Sequence, residues 1–321
     1  MPQAQNTTSS LTPEMQILWD KVFLERAQLE TVYDFLTDKE DHPRNAGKVH
    51  YFTRTTAFTP TTAALTEGTT PTGIAFTSQT VSATVEEYGE TTQVSSMLSL
   101  TGLDARLKEK VETFGQLAAE KMDLIRLTQM ATNATVQYAN QAAGASALRS
   151  TDTLDVADLR YVVLSLKLAK APKFGAPVGS LNKGGAYRGV ISSKGYYDLL
   201  GDSTAGAFTA INIATSDSAL GQVKDQSIKR LANVDIVESN HQYSVTAGAS
   251  AELTAYSNLF AGKGAVKEIS IGSSNPRIIM KSPGAGDTSN PLDMYSTLSF
   301  KIDAWTVVVA NSAWLIDKRA V

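Results

Sequence analysis

Residues 48–94, KVHYFTRTTAFTPTTAALTEGTTPTGIAFTSQTVSATVEEYGETTQV, form a threonine-rich stretch of two limbs about a turn-rich centre, with too few large apolar residues to enclose a core. A ribbon of this kind needs a surface to lie on, because an isolated two-stranded hairpin is at best marginally stable in water. On the returning limb Val81, Ala83 and Val85 alternate with Ser82, Thr84 and Glu86, the period of a strand with one covered face. Between the limbs, LTEGTTPTG supplies Gly68, Pro71 and Gly73, which favour turns. Fully extended, residues 74–94 would reach roughly 65 Å at about 3.3 Å each. A compact globule of this chain length is about 50 Å across. The arm can therefore overhang its own body; a folded-back meander is the other geometry open to it.

The ribbon lies between helical patterns. Thr12 and Pro13 suit the cap and first position of a helix, and Ile17, Leu18, Val22, Leu29, Val32 and Leu36 continue it toward Thr37. The polar stretch DHPRNAG then connects to the ribbon. From Leu103 a second pattern places Leu107, Val111, Phe114, Leu117, Ala118, Met122 and Ile125 on one stripe. Carried to Tyr138, it makes a spine roughly 50 Å long. After the linker AAGASALRSTDT, Thr153 is placed to cap a helix bearing Val156, Leu159, Val162, Val163 and Leu166, which Pro172 ends. A strand over 189–192, a brief helix over 196–200 and a strand over 234–238 give the stretch 153–264 an α+β character. Runs over 294–302, 305–310 and 313–316 read as successive antiparallel strands that close a sheet near the C-terminus.

With 321 residues, 42% apolar and 19% charged, the chain can build two ordered domains. No run approaches the roughly 18 apolar residues of a spanning helix, and MPQAQNTTSS lacks the zones of a signal peptide, so cytoplasmic synthesis is expected. The absence of cysteine removes disulfides, thiolate metal sites and a cysteine nucleophile. A net charge of -3 gives no global field for polyphosphate, so sequence-specific nucleic-acid binding is not expected.

The residues that could carry chemistry are sparse. His42, His50 and His241 are far apart in sequence, with no second ligand at metal spacing. Asp152, Asp155 and Asp158 recur every third residue, which suits the positive end of a helix rather than a calcium loop. Gly201-Asp202-Ser203-Thr204-Ala205 approaches a hydrolase elbow but lacks its last glycine and a preceding strand, and Gly262-Lys263-Gly264 lacks the hydroxyl residue of a phosphate loop. No catalytic residue, cofactor or metal is assigned. The contact residues expected at the ribbon tip are Leu65, Thr66, Glu67, Gly68, Thr69 and Pro71. Glu67 is either a solvated turn residue or, as favoured here, one half of an ion pair with a neighbouring subunit, worth about 0–1 kcal/mol each time it is made. The order helix, ribbon, long helix, mixed domain and closing strands points to a shell-building subunit rather than an enzyme.

Taken together, LTPEMQILWDKVFLERAQLETVYDF, LTEGTTPTGIAFTSQTVSATVEEYGETTQVSSML, VQYAN and PLDMYSTLSFKIDAWTVVVANSAWLI resemble the N4-like major capsid proteins of tailed bacteriophages, in family order from Thr12 onward. One departure falls at Asn290-Pro291-Leu292-Asp293-Met294-Tyr295, where the family pattern reads Asp-Pro-Leu followed by Gln-Arg-Gly. The resemblance implies an α+β, HK97-like phage capsid fold with an N-terminal arm (1–47), an extended β-hairpin loop (48–95), a peripheral domain on a spine helix (96–150 and 265–321) and an axial domain (151–264). It implies hexamers and pentamers in an icosahedral shell around double-stranded DNA, with portal, decoration and separate scaffold proteins as possible partners and no membrane. The location would be the virion capsid, assembled in the host bacterial cytoplasm. Family-like residues begin near Thr12, so assembly with a separate scaffold, or with none, is expected. The rival readings are an encapsulin-like compartment shell, a serine hydrolase using Ser203, and an adhesive or tail protein.

Overall fold

The computed structural model describes residues 31–55, 77–95, 107–175, 184–201, 230–272, 276–281 and 294–321, with Thr62, Ala64, Leu65, Glu67, Gly68, Thr70 and Gly73. A 3-10 turn (Tyr33–Leu36) leads into β1 (Thr37–His42), β2 (Val49–Thr55), β3 (Ser78–Thr84) and β4 (Glu86–Ser95). Next come α1 (Leu107–Asn133), β5 (Thr135–Tyr138), α2 (Val156–Leu168), β6 (Tyr187–Ser192), α3 (Ser193–Gly201), β7 (Arg230–Leu231), β8 (Val234–Ser239) and β9 (Ser244–Ala247). The chain ends with β10 (Leu253–Ala261), β11 (Val266–Ile271), β12 (Arg277–Lys281), β13 (Tyr295–Val309) and β14 (Leu315–Ala320). These strands make a five-stranded sheet of order β1-β11-β13-β12 with β4 also on β13, and a seven-stranded sheet of order β5-β14-β10-β6-β8-β7 with β9 on β10. The two-stranded ribbon β2-β3 completes the set.

The seven-stranded sheet is covered on both faces, and its sequence shows why. In Val190-Ile191, Leu259-Phe260 and Leu315-Ile316, adjacent apolar residues point to opposite sides. Ile191, Phe260 and Ile316 meet α2 through Val156, Leu159, Val162, Val163 and Leu166. Val190, Leu259 and Leu315 join the core beneath α1, where Val111, Ala118, Leu127 and Met130 pack with Leu298, Phe300, Ile302, Trp305 and Val307 of β13. The α1 core therefore lies between the two sheets and fixes one against the other.

Several boundaries differ from the sequence reading. The first predicted helix lies largely in residues outside those described; at its expected end the chain turns through Tyr33–Leu36, and β1 begins at Thr37 and runs into the stretch 41–47 expected to be a polar connection. α1 stops at Asn133 instead of reaching Tyr138, which leaves 27 residues, or about 40 Å. The β-prone residues Thr135–Tyr138 pair in parallel with β14. Asp155, not Thr153, caps α2, its carboxylate accepting from the Asp158 amide at 2.6 Å. The runs read as 294–302 and 305–310 form one strand: the β13 register shifts between Ile302 and Trp305, and Ala304 has φ 47°. This bulge lets Leu298, Phe300 and Ile302 share one face with Trp305 and Val307, although the numbering changes parity. β14, predicted as the next antiparallel strand of that series, instead closes the other sheet against β10 and β5.

Candidate assembly surface

Residues 48–95 divide into an anchored part and an exposed part. Only Val85 separates β3 from β4, and β4 then pairs with β13 over eight consecutive residue pairs from Tyr295↔Ser95 to Ile302↔Tyr88. Gly89 permits the close approach, since a Cβ there would lie 2.6 Å from the Phe300 carbonyl oxygen. Lys121 of α1 ties β4 down from the side, donating to Glu90 at 2.8 Å and to the Gly89 carbonyl at 3.2 Å. Of the stretch 48–95, expected from the sequence to be one extended loop, the last ten residues belong to the chain's own sheet.

The root of β2-β3 also rests on this chain. Ala83 and Val85 are buried with Ile269 of β11, flanked by Phe52, Ile271, Ala304 and Val308. Beyond that cluster the covering ends. Ser78, Gln79 and Thr80 are exposed on β3, and Tyr51 on β2 is 65% exposed. Near the tip Leu65 is 78% exposed, and Glu67 and Gly68 form an exposed turn in which Gly68 takes φ 78°. Three of the expected tip residues, Thr66, Thr69 and Pro71, lie outside the described residues.

A buried charge network holds the base under the ribbon. Arg126 of α1 donates to both oxygens of Glu268, at 3.1 and 3.0 Å, and to Asp123 at 3.1 Å. Glu268 also accepts from the Trp305 indole at 2.8 Å and the Thr37 hydroxyl at 3.1 Å. Asp123 accepts from the Val32 amide at 2.6 Å. Burial pushes the Asp123 carboxyl up, against the opposing pull of the Val32 amide and Arg126. Arg188 of β6 donates to the Phe35 carbonyl at 2.8 Å and stacks over Phe35 and Phe174. The turn at 33–36 is thus fastened to α1, β11 and β6 together.

The other residues singled out in the sequence have structural places. Asp158 is buried and pairs with the fully buried Lys318 at 2.8 Å. Asp152 accepts from the Arg149 amide at 2.8 Å. Ser203 lies outside the described residues, and Gly201 ends a helix instead of the strand an elbow requires. Among the described residues no three His, Asp or Glu side chains are grouped to hold a metal, and no helix is long and apolar enough to cross a membrane. Sequence spacing set His42 and His50 apart, but the turn between β1 and β2 brings their Nδ1 atoms to 2.8 Å.

No family model matches the sequence, and no curated protein does. Solved structures do match. The capsid of Ralstonia phage GP4 aligns with 99% of this chain and 95% of its own, at TM-score 0.67 and 13% identity. The capsid of cyanophage P-SCSP1u aligns with 91% of this chain and 88% of its own, at TM-score 0.62 and 16% identity. A virus-like particle from Pyrococcus furiosus covers 94% and 97% of the two chains, at TM-score 0.50 and 7% identity. The fold is the α+β, HK97-like capsid fold expected from the sequence.

Proposed function

We propose that this chain is the major capsid protein of a tailed bacteriophage, of the N4-like group its segments resemble, and that it assembles as hexamers and pentamers into an icosahedral shell around double-stranded DNA. The observation that carries the reading is the contrast within residues 48–95: the root and β4 are fixed to the body, while Tyr51, Ser78, Gln79, Thr80 and Leu65 are exposed. A two-stranded ribbon gains order from a third surface, and in a closed lattice that surface is the next copy. Contacts that are weak singly become strong there, because a subunit already held on one side meets the other at high effective concentration.

In this reading Leu65, Thr66, Glu67, Gly68, Thr69 and Pro71 lie on the neighbouring subunit. The arm, extended-loop, peripheral and axial divisions keep the boundaries given above, with β1, β4 and β14 as the strands that cross between units. Portal, scaffold and decoration proteins are further partners, and catalysis plays no part. Support comes from the fold, the ribbon and a mildly acidic composition suited to a wall that does not trap DNA.

The test is negative-stain microscopy of the purified protein beside a variant in which residues 56–77 are replaced by a short turn, sparing the anchored strands. Polyhedral particles or rings of five and six from the parent, lost in the variant, are expected. Undiminished particle formation by the variant would overturn the role of the ribbon. Because the Pyrococcus furiosus particle shares the fold, a shell carrying protein cargo is the second reading. The nucleic-acid and protein content of purified particles separates the two.

A further inference from the structure

The junction between body and ribbon contains a contact the shell reading does not use. His42, the last residue of β1, is 5% exposed, and its Nδ1 lies 2.8 Å from Nδ1 of His50 on β2. Its other ring nitrogen, Nε2, lies 3.2 Å from the Gly47 carbonyl oxygen. A carbonyl only accepts, so Nε2 of His42 carries the proton and Nδ1 of the neutral ring is bare. The proton between the rings therefore belongs to His50, which donates to His42.

The surroundings treat the two rings differently. His50 Nε2 faces Glu40 at 4.0 Å, so a positive charge on His50 has a carboxylate to answer it. A second proton, on His42, would set N–H against N–H across the short contact and place two cations side by side. Among the described residues, the charged groups facing the pair include Glu40 of β1 and Lys267 of β11, which is ion-paired with Glu40 and sits over the Phe52 ring. β3 presents Ala83 opposite His50, β11 presents Ile271 opposite His42, and Phe52 packs edge-on against His50 at 4.6 Å. Arg44, in the connecting turn, lies against Gly272.

We propose that His42 and His50 form an acid-sensitive latch: sharing one proton they fasten the root of the ribbon to the five-stranded sheet, and doubly charged they release it. Imidazole is the side chain that ordinarily changes charge between about pH 5 and 8, which makes that the interval to test. The unfastened root takes up one more proton than the fastened one, so the fastened form weakens as pH falls. This inference concerns the free subunit as much as any shell and does not rest on the shell reading.

Hydrogen exchange of the full-length chain tests it, with protection corrected for the intrinsic pH dependence of exchange. Between about pH 7.5 and 5, protection of the β2 and β3 amides should fall about tenfold, as expected for loss of a partly buried hydrogen bond and gain of a like-charge contact, while α2 amides hold theirs. The His50→Asn variant keeps an N–H donor near the Nδ1 position, and its amide can turn to accept from a charged His42. It should match the parent at neutral pH and show less than about a twofold fall in acid. His42→Gln, whose amide reaches toward Gly47, gives the same comparison if His50→Asn misfolds. Equal acid responses in parent and variants, or none in the parent, would overturn the latch.

Discussion

The seven-stranded sheet and the β2-β3 ribbon draw on similar strand-forming residues and reach opposite states. In the sheet, neighbours such as Leu259 and Phe260 are both buried because helices and a second sheet cover the two faces. In the ribbon, Ala83 is the only buried residue of β3, and Tyr51, Ser78, Gln79 and Thr80 are exposed. Strand propensity alone does not separate them; the difference is whether the chain supplies a cover. Burial of apolar area contributes about 25 cal/mol per Å², so the body holds itself together, while the outer ribbon has little stabilisation of its own.

The largest effect expected from a single change lies in the body. Glu268→Leu leaves Arg126 buried with only part of its counter-charge, and urea unfolding should show a loss of about 3–5 kcal/mol. A loss below about 1 kcal/mol would mean that the network is less enclosed than its geometry requires.

A smaller change sharpens the contrast in acid response. Burial raises the Asp317 carboxyl above its ordinary 3.8, as it does those of Asp123 and Asp158. A carboxyl raised on folding binds more protons folded than unfolded. Its contribution to stability is therefore greatest at low pH and falls as pH climbs from the unfolded value through the folded one. Asp317→Asn, which alters the bonds to Ser257 and Arg319, should cost about 1–3 kcal/mol. Its stability should also decline less than the parent's as pH rises across that window, as read by denaturant titration at several pH values. Parallel profiles would remove Asp317 from the account. Acid thus favours these buried body groups while it opens the ribbon root.

The smallest expected effect on the subunit belongs to Tyr51→Ser, within about 0.5 kcal/mol because the ring is exposed. The yield of assembled particles should nevertheless drop if that ring lies on a neighbour. A large loss of subunit stability would show that the ribbon's outer face is covered by its own chain.

Legibility in the sequence followed the same divide. The limbs of the ribbon, the spine helix and the strand at 234–238 are visible because each has one covered face or a long period. β1 was not: Thr37-Asp38-Lys39-Glu40-Asp41-His42 has no apolar alternation, and it becomes a strand only because β11 offers a parallel partner and Lys267 a charge. The β13 bulge hid a single strand by changing the parity of its pattern. Arg126 and Glu268 are 142 residues apart, so no local pattern joins them; the available clue was that Asp123 and Arg126 fall on the buried side of the spine. The histidine pair is not legible in the sequence, because a short turn brings together rings that stand eight residues apart. The sequence leads to an expected contact at the tip, but it does not show the point at which the arm stops being part of its own body.

That point has a mechanical consequence. Because β3 passes into β4 through Val85 alone, tension drawn along the finger arrives lengthwise at the first residue of β4. To yield, β4 has to slide past β13, so its row of backbone bonds resists together instead of peeling one after another. A hook whose shank is sewn into the plate bears load differently from one glued at its end: it meets a pull with stiffness before slack.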